Sequence, residues 1–372
     1  MRVCHSPVSP RSFPAAVVLI AGLVSGAAGG DAAAAAGTDY AAVTPGTLMT
    51  FPRDYGSHPN FRTEWWYVTG WLTTQSGESL GFQITFFRTK PRIDEANPSS
   101  FAARQLLIAH CAISDPKRGQ LWQDQRIRRA GFGLAQAAEG DTNVSIGNWL
   151  LRRDAGVYLA KIAAEDFSMD LQLFESQPLL LNGASGFSRK GPALSAASNY
   201  YSLPHLKVAG TVARKGSTES VAGEAWFDHE WSSEYLDSEA VGWNWIGINL
   251  DDGGALMAFS IRGTHGEQRW AGATFRDPDG RVQVLQATDV NFQARRRWVS
   301  PKTGVAYPVS MMVHAGTREI DIEPLLDNQE NDTRLSTGAI YWEGAVRALA
   351  GGRIVGRGYL ELTGYGERLR IR

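Results

Sequence analysis

The sequence predicts an all-β protein built from short antiparallel strands. Apolar residues alternate with polar ones in many short segments rich in aromatic and β-branched residues, and few segments show a helical period. The chain has 40 glycines and 16 prolines, many of them in turn clusters such as Asp251-Asp-Gly-Gly. Barrels or sandwiches are therefore the expected architectures. The clearest predicted strands are residues 64–72, 80–88, 106–114, 166–174, 206–212, 222–232, 243–250, 255–262, 310–315 and 359–363.

Residues 1–36 are predicted to be a signal peptide and a flexible mature N-terminus. Arg2 and Arg11 form a sparse basic region before an apolar stretch, residues 13–24, that is followed by small residues suited to cleavage. No cysteine follows the apolar stretch, so the general secretory route is expected rather than a lipid anchor. We therefore expect a soluble exported protein, periplasmic or extracellular, and not an integral membrane protein.

The remaining length and the composition predict two globular domains. About 340 residues are too many for one ordinary core, and the turn-rich stretch 181–197 suggests domains at 37–204 and 205–372. The chain is 43% hydrophobic with a formal net charge of −1. This charge argues against an electrostatic grip on nucleic acid or anionic lipid.

Cysteine usage predicts a fold stabilised by packing alone. Cys4 lies in the predicted leader, which leaves Cys111 as the single cysteine of the mature chain. Its neighbours are apolar, so a buried, unreactive thiol is the favoured interpretation.

The two halves of the chain resemble one another. In each half an aromatic strand is followed by a glycine turn and a second apolar strand that ends in arginine, at residues 64–88 and again at residues 242–262. Two similar antiparallel barrels in tandem would explain the pattern.

The segment 222–232 carries the densest group of chemically active residues. Strand alternation places Phe227, His229 and Trp231 on one face, with Trp226, Asp228 and Glu230 on the other. Two interpretations stay open for His229. It either lines an apolar ligand cavity, where it can move a proton, or it is a core histidine bonded to its neighbours.

Several motifs carry a resemblance to a known superfamily. They lie at residues 58–70 (His-Pro-Asn-Phe-Arg-Thr-Glu-Trp-Trp-Tyr-Val-Thr-Gly), 225–231, 242–245, 336–346 and 358–365. In this order they resemble the AttH-like and carotenoid 1,2-hydratase (hydroxyneurosporene synthase) superfamily. The resemblance implies two tandem lipocalin-like antiparallel β-barrel domains with a hydrophobic substrate at or between the barrels. Its enzymes add water to an isoprenoid double bond, whereas bacterial AttH components are encoded near ABC exporters.

Alkene hydration requires a protonated carboxylic acid, aromatic faces that shelter a carbocation, and a positioned water. The predicted catalytic residues are Asp228, His229 and Glu230. The predicted ligand-binding residues are Glu64, Trp66, Phe227, Trp231, Trp243, Trp245 and Tyr341. The Tyr-x-Asp element of the carotenoid hydratases is missing from residues 255–262, so the proton donor is open. No Gly-x-Ser-x-Gly motif supports a hydrolase.

Other polar residues have structural as well as functional interpretations. Glu343 and Glu361 lie in aromatic surroundings where each suits a buried partner of an arginine. His58, His110 and His229 are far apart in sequence, so no metal site is predicted, and no cofactor is expected. Two functions remain: an enzyme with hydratase-like acid/base chemistry on an isoprenoid or lipid-like ligand, or a lipophile carrier or AttH-type accessory protein of an ABC exporter.

Overall fold

The computed structural model describes residues 40–93 and 96–368. The predicted signal peptide and flexible N-terminus, residues 1–36, lie outside the described residues. Apart from two short 3-10 turns, Arg53–Tyr55 and Ala287–Asp289, the described elements are strands. The prediction of an all-β protein is confirmed.

Thirteen strands of the described chain form the first antiparallel sheet. They are β1 Thr63–Thr74, β2 Ser79–Thr89, β3 Leu106–Asp115, β4 Gln120–Arg129, β5 Ala135–Ala137, β6 Asn143–Ile146, β7 Trp149–Asp154, β8 Val157–Ala163, β9 Phe167–Phe174, β10 Leu180–Leu181, β11 Phe187–Arg189, β12 Ala197–Arg214 and β13 Ser217–Ser232. Their order is β4-β3-β2-β1-β13-β12-β9-β8-β7-β6-β5, with β10 and β11 paired to β12. The sheet curls into a barrel, and Arg126 of β4 donates to the carbonyl of Ile146 on β6 at 3.3 Å.

Ten further strands form the second sheet. They are β14 Ala240–Leu250, β15 Ala255–Gly263, β16 Gln268–Arg276, β17 Val282–Leu285, β18 Val290–Val299, β19 Ala306–Ala315, β20 Arg318–Pro324, β21 Glu330–Thr333, β22 Ala339–Ala350 and β23 Arg353–Leu362. The order is β17-β16-β15-β14-β23-β22-β20-β19-β18, with β21 on β22. Gln268 of β16 donates to the carbonyl of Val290 on β18 at 2.9 Å, which brings the sheet's ends together.

The chain passes from one sheet to the other between Ser232 and Ala240. Residue 204, where the sequence suggests a domain boundary, is a proline inside β12, at a β-bulge between Leu203 and Leu206. A proline fits there because a bulge removes one ladder hydrogen bond. The proposed division at residue 204 is therefore distinct from the change of sheet.

Strand alternation divides each sheet into an interior and an outer face. In β1, Trp66, Val68 and Leu72 belong to the core of the first barrel, whereas Tyr67 and Trp71 point toward the second barrel. The residues that pack between the barrels, here called the inter-barrel layer, are Tyr67, Trp71, Leu180, Tyr200, Trp226, Ala240, Trp245, Ala255, Met257, Phe259, Ile261, Ala345 and Tyr359.

Within the described residues, no helix is long and apolar enough to cross a membrane. Cys111 is buried in β3, and burial raises the pKa of its thiol well above the ordinary value.

Candidate functional site

The strand β13 faces two different environments, as its alternation predicts. Phe227, His229 and Trp231 point into the first barrel. Trp226 lies in the inter-barrel layer, and from the same face Asp228 accepts hydrogen bonds from the layer residues Tyr200 and Trp226. Glu230 pairs with Lys190, which lies over the Tyr200 ring. The predicted catalytic residues are thus divided, with His229 on one side of the sheet and the two carboxyls on the other.

Inside the first barrel, Glu64 is the centre of a hydrogen-bonded cluster. Its Oε1 lies 2.7 Å from Nδ1 of His58 and 2.9 Å from Nε2 of His229. Its Oε2 accepts from Nε of Arg88 at 2.7 Å and from the backbone of His58 at 2.9 Å. Burial opposes ionisation of Glu64, but Arg88 and the two histidines hold its pKa well below the ordinary value. The cluster is built around the buried ion pair of Glu64 with Arg88.

His229 is fully enclosed by this cluster and by aromatic rings. Trp66 and Trp231 lie on either side of it, with ring centroids at 4.8 and 4.9 Å. Its Nδ1 is 3.1 Å from the hydroxyl of Tyr201. Burial lowers its pKa to about 4, so the ring is neutral at pH 7. The geometry favours the interpretation of His229 as a bonded core histidine. Phe227 lies in the same core, and its ring centroid is 4.9 Å from that of Tyr158.

His58, Glu64 and His229 bring three metal-ligand atoms within 4.8 Å of one another. Two histidines and a carboxylate are a donor set that suits Zn²⁺. However, Glu64 already accepts hydrogen bonds from both ring systems, and the Arg88 guanidinium lies against its other oxygen. A cation would displace these bonds and meet the arginine charge, so the arrangement fits a proton-bearing network better than a metal centre. His110 lies elsewhere, bonded to Tyr341 and Ser336.

On the other face of β13, Asp228 accepts three hydrogen bonds. The donors are Ser202 Oγ at 2.5 Å, Trp226 Nε1 at 2.7 Å and the Tyr200 hydroxyl at 2.8 Å. Trp245 of the second barrel in turn donates to Tyr200 at 3.0 Å. Burial raises the pKa of Asp228 to about 7 even though its three donors favour the carboxylate.

Glu230 is occupied by an ion pair. Lys190 Nζ lies 2.9 Å from its carboxylate, and both side chains are buried. The lysine also lies 4.2 Å from the ring centre of Phe259 and 4.8 Å from that of Tyr200. Burial raises the pKa of Glu230 and lowers that of Lys190, and their mutual attraction opposes both effects. Glu230 therefore contributes to the junction of the barrels.

Two further carboxyls face one another on strands of the second barrel, on the face turned toward the inter-barrel layer. Glu343 on β22 and Glu361 on β23 are directly opposite in the strand register, a position in which like charges repel. Burial and then Glu361 raise the pKa of Glu343 well above the ordinary value. Burial raises the pKa of Glu361 to about 7, although Trp243 donates to it at 2.9 Å.

This carboxyl pair also has unsatisfied polar neighbours. Within the described residues, Glu343 Oε1 and the Tyr67 hydroxyl are buried without a hydrogen-bond partner of normal geometry. The hydroxyls of Tyr67 and Tyr341 nevertheless lie close enough to Glu343 to lower its pKa. An unpartnered buried oxygen is costly unless a ligand or water uses it. The carboxyl pair therefore resembles a ligand-binding site more than a purely structural contact.

The sequence suggests an arginine as the buried partner of each glutamate, whereas in the structure Glu343 and Glu361 lie opposite each other. Their aromatic surroundings were a usable signal, but the pairing depends on strand register, which alternation alone does not give. Of the predicted ligand-binding residues, Trp243, Trp245 and Tyr341 lie around this carboxyl group, while Glu64, Trp66, Phe227 and Trp231 lie in the first barrel.

A groove of about 230 Å³ opens between the barrels, and neither Glu343 nor Glu361 is among its lining residues. Trp71, Trp226, Thr69 and Arg357 are among the residues that line it. Trp226 connects the groove to Asp228, because it lines the groove and its indole Nε1 donates to the Asp228 carboxyl. Cavities for drug-sized ligands are roughly 300–1,000 Å³, so the groove in this conformation accommodates part of such a ligand.

Fold and site together define a class: all-β proteins of two lipocalin-like barrels with acidic and aromatic side chains between them. A model of the AttH-like family matches residues 42–365. The chain belongs to the AttH-like family.

Two solved structures resemble the chain over most of its length. A crystal structure described as an AttH from Nitrosomonas europaea is 52% identical, with a TM-score of 0.83, and the match covers 87% of this chain and 99% of that one. Kievitone hydratase from Nectria haematococca is 14% identical, with a TM-score of 0.65 and coverage of 88% and 96%. The second likeness shows a shared fold. A comparison with curated proteins found no match.

Proposed function

We propose that this AttH-like protein is exported, that it binds an apolar isoprenoid or lipid-like ligand between its barrels, and that it acts on this ligand by hydratase-like acid/base chemistry. The observation that carries the proposal is the group formed by Asp228, Glu343 and Glu361, three carboxyls with raised pKa values among tryptophan and tyrosine rings. A carboxylic acid that keeps its proton near pH 7 is what alkene protonation needs.

Glu343 is the best-placed proton donor of the three. Asp228 already accepts three hydrogen bonds, whereas Oε1 of Glu343 is buried without a hydrogen-bond partner of normal geometry among the described residues. Because two adjacent buried carboxyls do not both ionise readily, the pair with Glu361 retains a proton. This assignment moves the acid from the predicted Asp228-His229-Glu230 segment to β22 and β23.

The proposed reaction is balanced in protons. Glu343 gives its proton to one carbon of a double bond, and the π electrons form the new C–H bond. The other carbon becomes a tertiary carbocation, which the faces of Tyr67, Trp243 and Trp245 stabilise. A water oxygen then bonds to this carbon and loses a proton to the Glu343–Glu361 pair. The product is a tertiary alcohol, and the acid is restored.

A carrier without catalysis is the second candidate. It is favoured by the dense packing around His229 and by the complete hydrogen bonding of Asp228, which give these two groups structural roles. In this function the protein would pass a lipophile to or from a partner such as an ABC exporter. The same fold supports either function.

Isotope incorporation separates the two functions. The purified protein is incubated with squalene or geranylgeraniol in ¹⁸O-labelled water, and products and bound ligand are examined by mass spectrometry. An enzyme yields labelled tertiary alcohol, and Glu343→Gln abolishes the label while ligand binding remains. The exposed control Glu165→Gln keeps full activity. Isoprenoid that is bound but unlabelled would establish the carrier. If the protein neither binds the isoprenoid nor forms labelled product, an isoprenoid ligand is rejected.

A further inference from the structure

Two phenylalanines stand exposed at one end of the first barrel. Phe101, in the segment between β2 and β3, is 75% exposed, and Phe132, between β4 and β5, is 62% exposed. Their rings are parallel, with centroids 5.7 Å apart and planes 5° apart. Leu134 beside them is 43% exposed. Single exposed apolar residues are ordinary, but a contiguous aromatic patch marks an interaction surface.

The backbone is arranged to present this patch. Gly131, Phe132 and Gly133 have φ values of 91°, 56° and 71°. A bulky residue rarely adopts this left-handed conformation, and it costs free energy unless something compensates for it. Arg129 supports the two rings from below. Its guanidinium carbon lies 4.5 Å from the Phe132 ring centroid and 5.9 Å from that of Phe101. Its Nη2 donates to the Ser100 carbonyl at 2.9 Å.

The patch lies in a locally basic surface. Residues 90–105 and 126–134 contain six basic side chains (Lys90, Arg92, Arg104, Arg126, Arg128, Arg129) and two acidic ones (Asp94, Glu95), a difference of +4. Arg92, Arg104 and Arg128 are exposed. The formal charge of the whole chain is −1, which argues against attraction to anionic lipid. This end of the barrel differs, because its local charge is positive.

We propose that the surface formed by Phe101, Phe132, Leu134 and the surrounding arginines docks on an anionic phospholipid bilayer. Phenylalanine and leucine enter the boundary between headgroups and acyl chains, while arginines pair with the phosphates. A second copy of the chain is a poorer occupant because two surfaces of the same positive sign repel. The proposal is independent of the chemistry proposed between the barrels.

Vesicle sedimentation tests the proposal. The full protein is mixed with phosphatidylcholine vesicles with or without phosphatidylglycerol. We expect binding that requires phosphatidylglycerol and falls about fivefold for Arg128→Gln. The double variant Phe101→Ser/Phe132→Asn should bind at least about tenfold more weakly. Asparagine is chosen because it tolerates the left-handed backbone. The control Leu335→Ser removes a side chain that is 89% exposed on the second barrel, and it should bind as wild type does.

Three results would overturn the proposal. They are equal binding to both kinds of vesicle, undiminished binding of the double variant at unchanged melting temperature, and a dimer in light scattering that the double variant loses while vesicles are not bound. The last result would assign the patch to self-association.

Discussion

At the level of single residues, the surroundings of a side chain decide between a structural and a chemical role. His229 and Glu343 are both buried, but His229 has a partner at each ring nitrogen, whereas one oxygen of Glu343 has none among the described residues. A satisfied group resists change, and an unsatisfied one is available to a ligand. The two residues should therefore respond to substitution in opposite ways.

For His229→Ala we expect a loss of about 2–4 kcal/mol in the free energy of unfolding. The substitution leaves the Tyr201 hydroxyl without its histidine partner, removes one of the hydrogen bonds to Glu64 Oε1 and opens a cavity beside two tryptophans. Urea denaturation at neutral pH measures the loss. The exposed control His265→Ala should differ from wild type by less than about 0.5 kcal/mol. An unchanged stability with lost ligand binding would instead place His229 at a ligand cavity.

For Glu343→Gln we expect a weaker dependence of stability on pH. The folded pKa values of Asp228 and Glu361 are about 7, above their ordinary values of 3.8 and 4.5, and that of Glu343 is also raised. Between about pH 4 and 7 the folded state therefore binds more protons than the unfolded state, so wild-type stability falls as the pH rises through this window.

Glutamine mimics the protonated acid and removes the repulsion of Glu361. The fall in unfolding free energy from pH 5 to pH 8 should thus be smaller than in wild type by at least about 1 kcal/mol. Urea denaturation at both pH values tests this, with Glu165→Gln as a control that follows wild type. An equal fall in Glu343→Gln and wild type would mean that Glu343 is ionised throughout.

At the level of strands, alternation was sufficient to locate elements but not to pair them. The predicted segment 64–72 lies within β1 and 243–250 within β14, because each has one face in a barrel core. The bulge at Pro204 and the opposition of Glu343 and Glu361 depend on neighbouring strands distant in sequence. The division of the predicted catalytic segment between two faces did follow from alternation, whereas the function of each face depended on what packs against it.

The pairing of β23 with β14 requires a glycine at position 358. A Cβ built on Gly358 would lie 1.9 Å from the carbonyl oxygen of Gly247, inside backbone that cannot move independently. We expect Gly358→Ala to lower the unfolding free energy by about 2 kcal/mol or more. In the control Gly272→Ala the new methyl would meet the edge of the Phe259 ring at 3.1 Å, a side chain that can shift. Thermal denaturation of both variants distinguishes them, and equal melting temperatures would contradict this account.

At the level of the whole molecule, the barrels are joined by specific polar contacts as well as by apolar packing. Trp245 donates to Tyr200 at 3.0 Å, Trp71 donates to the Gly358 carbonyl at 3.1 Å, and His110 lies 2.9 Å from the Tyr341 hydroxyl. Each bond joins a residue of one sheet to a residue of the other. Separating the barrels would leave these buried groups unpaired.

The contacts across the inter-barrel layer also constrain how this sequence can diverge. If the two barrels arose by duplication of one ancestor, each copy has since come to depend on hydrogen-bond partners that only the other supplies. A change at Tyr200 or His110 is then neutral only when Trp245 or Tyr341 changes with it. Descendants of this chain should inherit such positions as linked pairs, and an exchange of one barrel between distant relatives should fail unless the facing residues are exchanged as well.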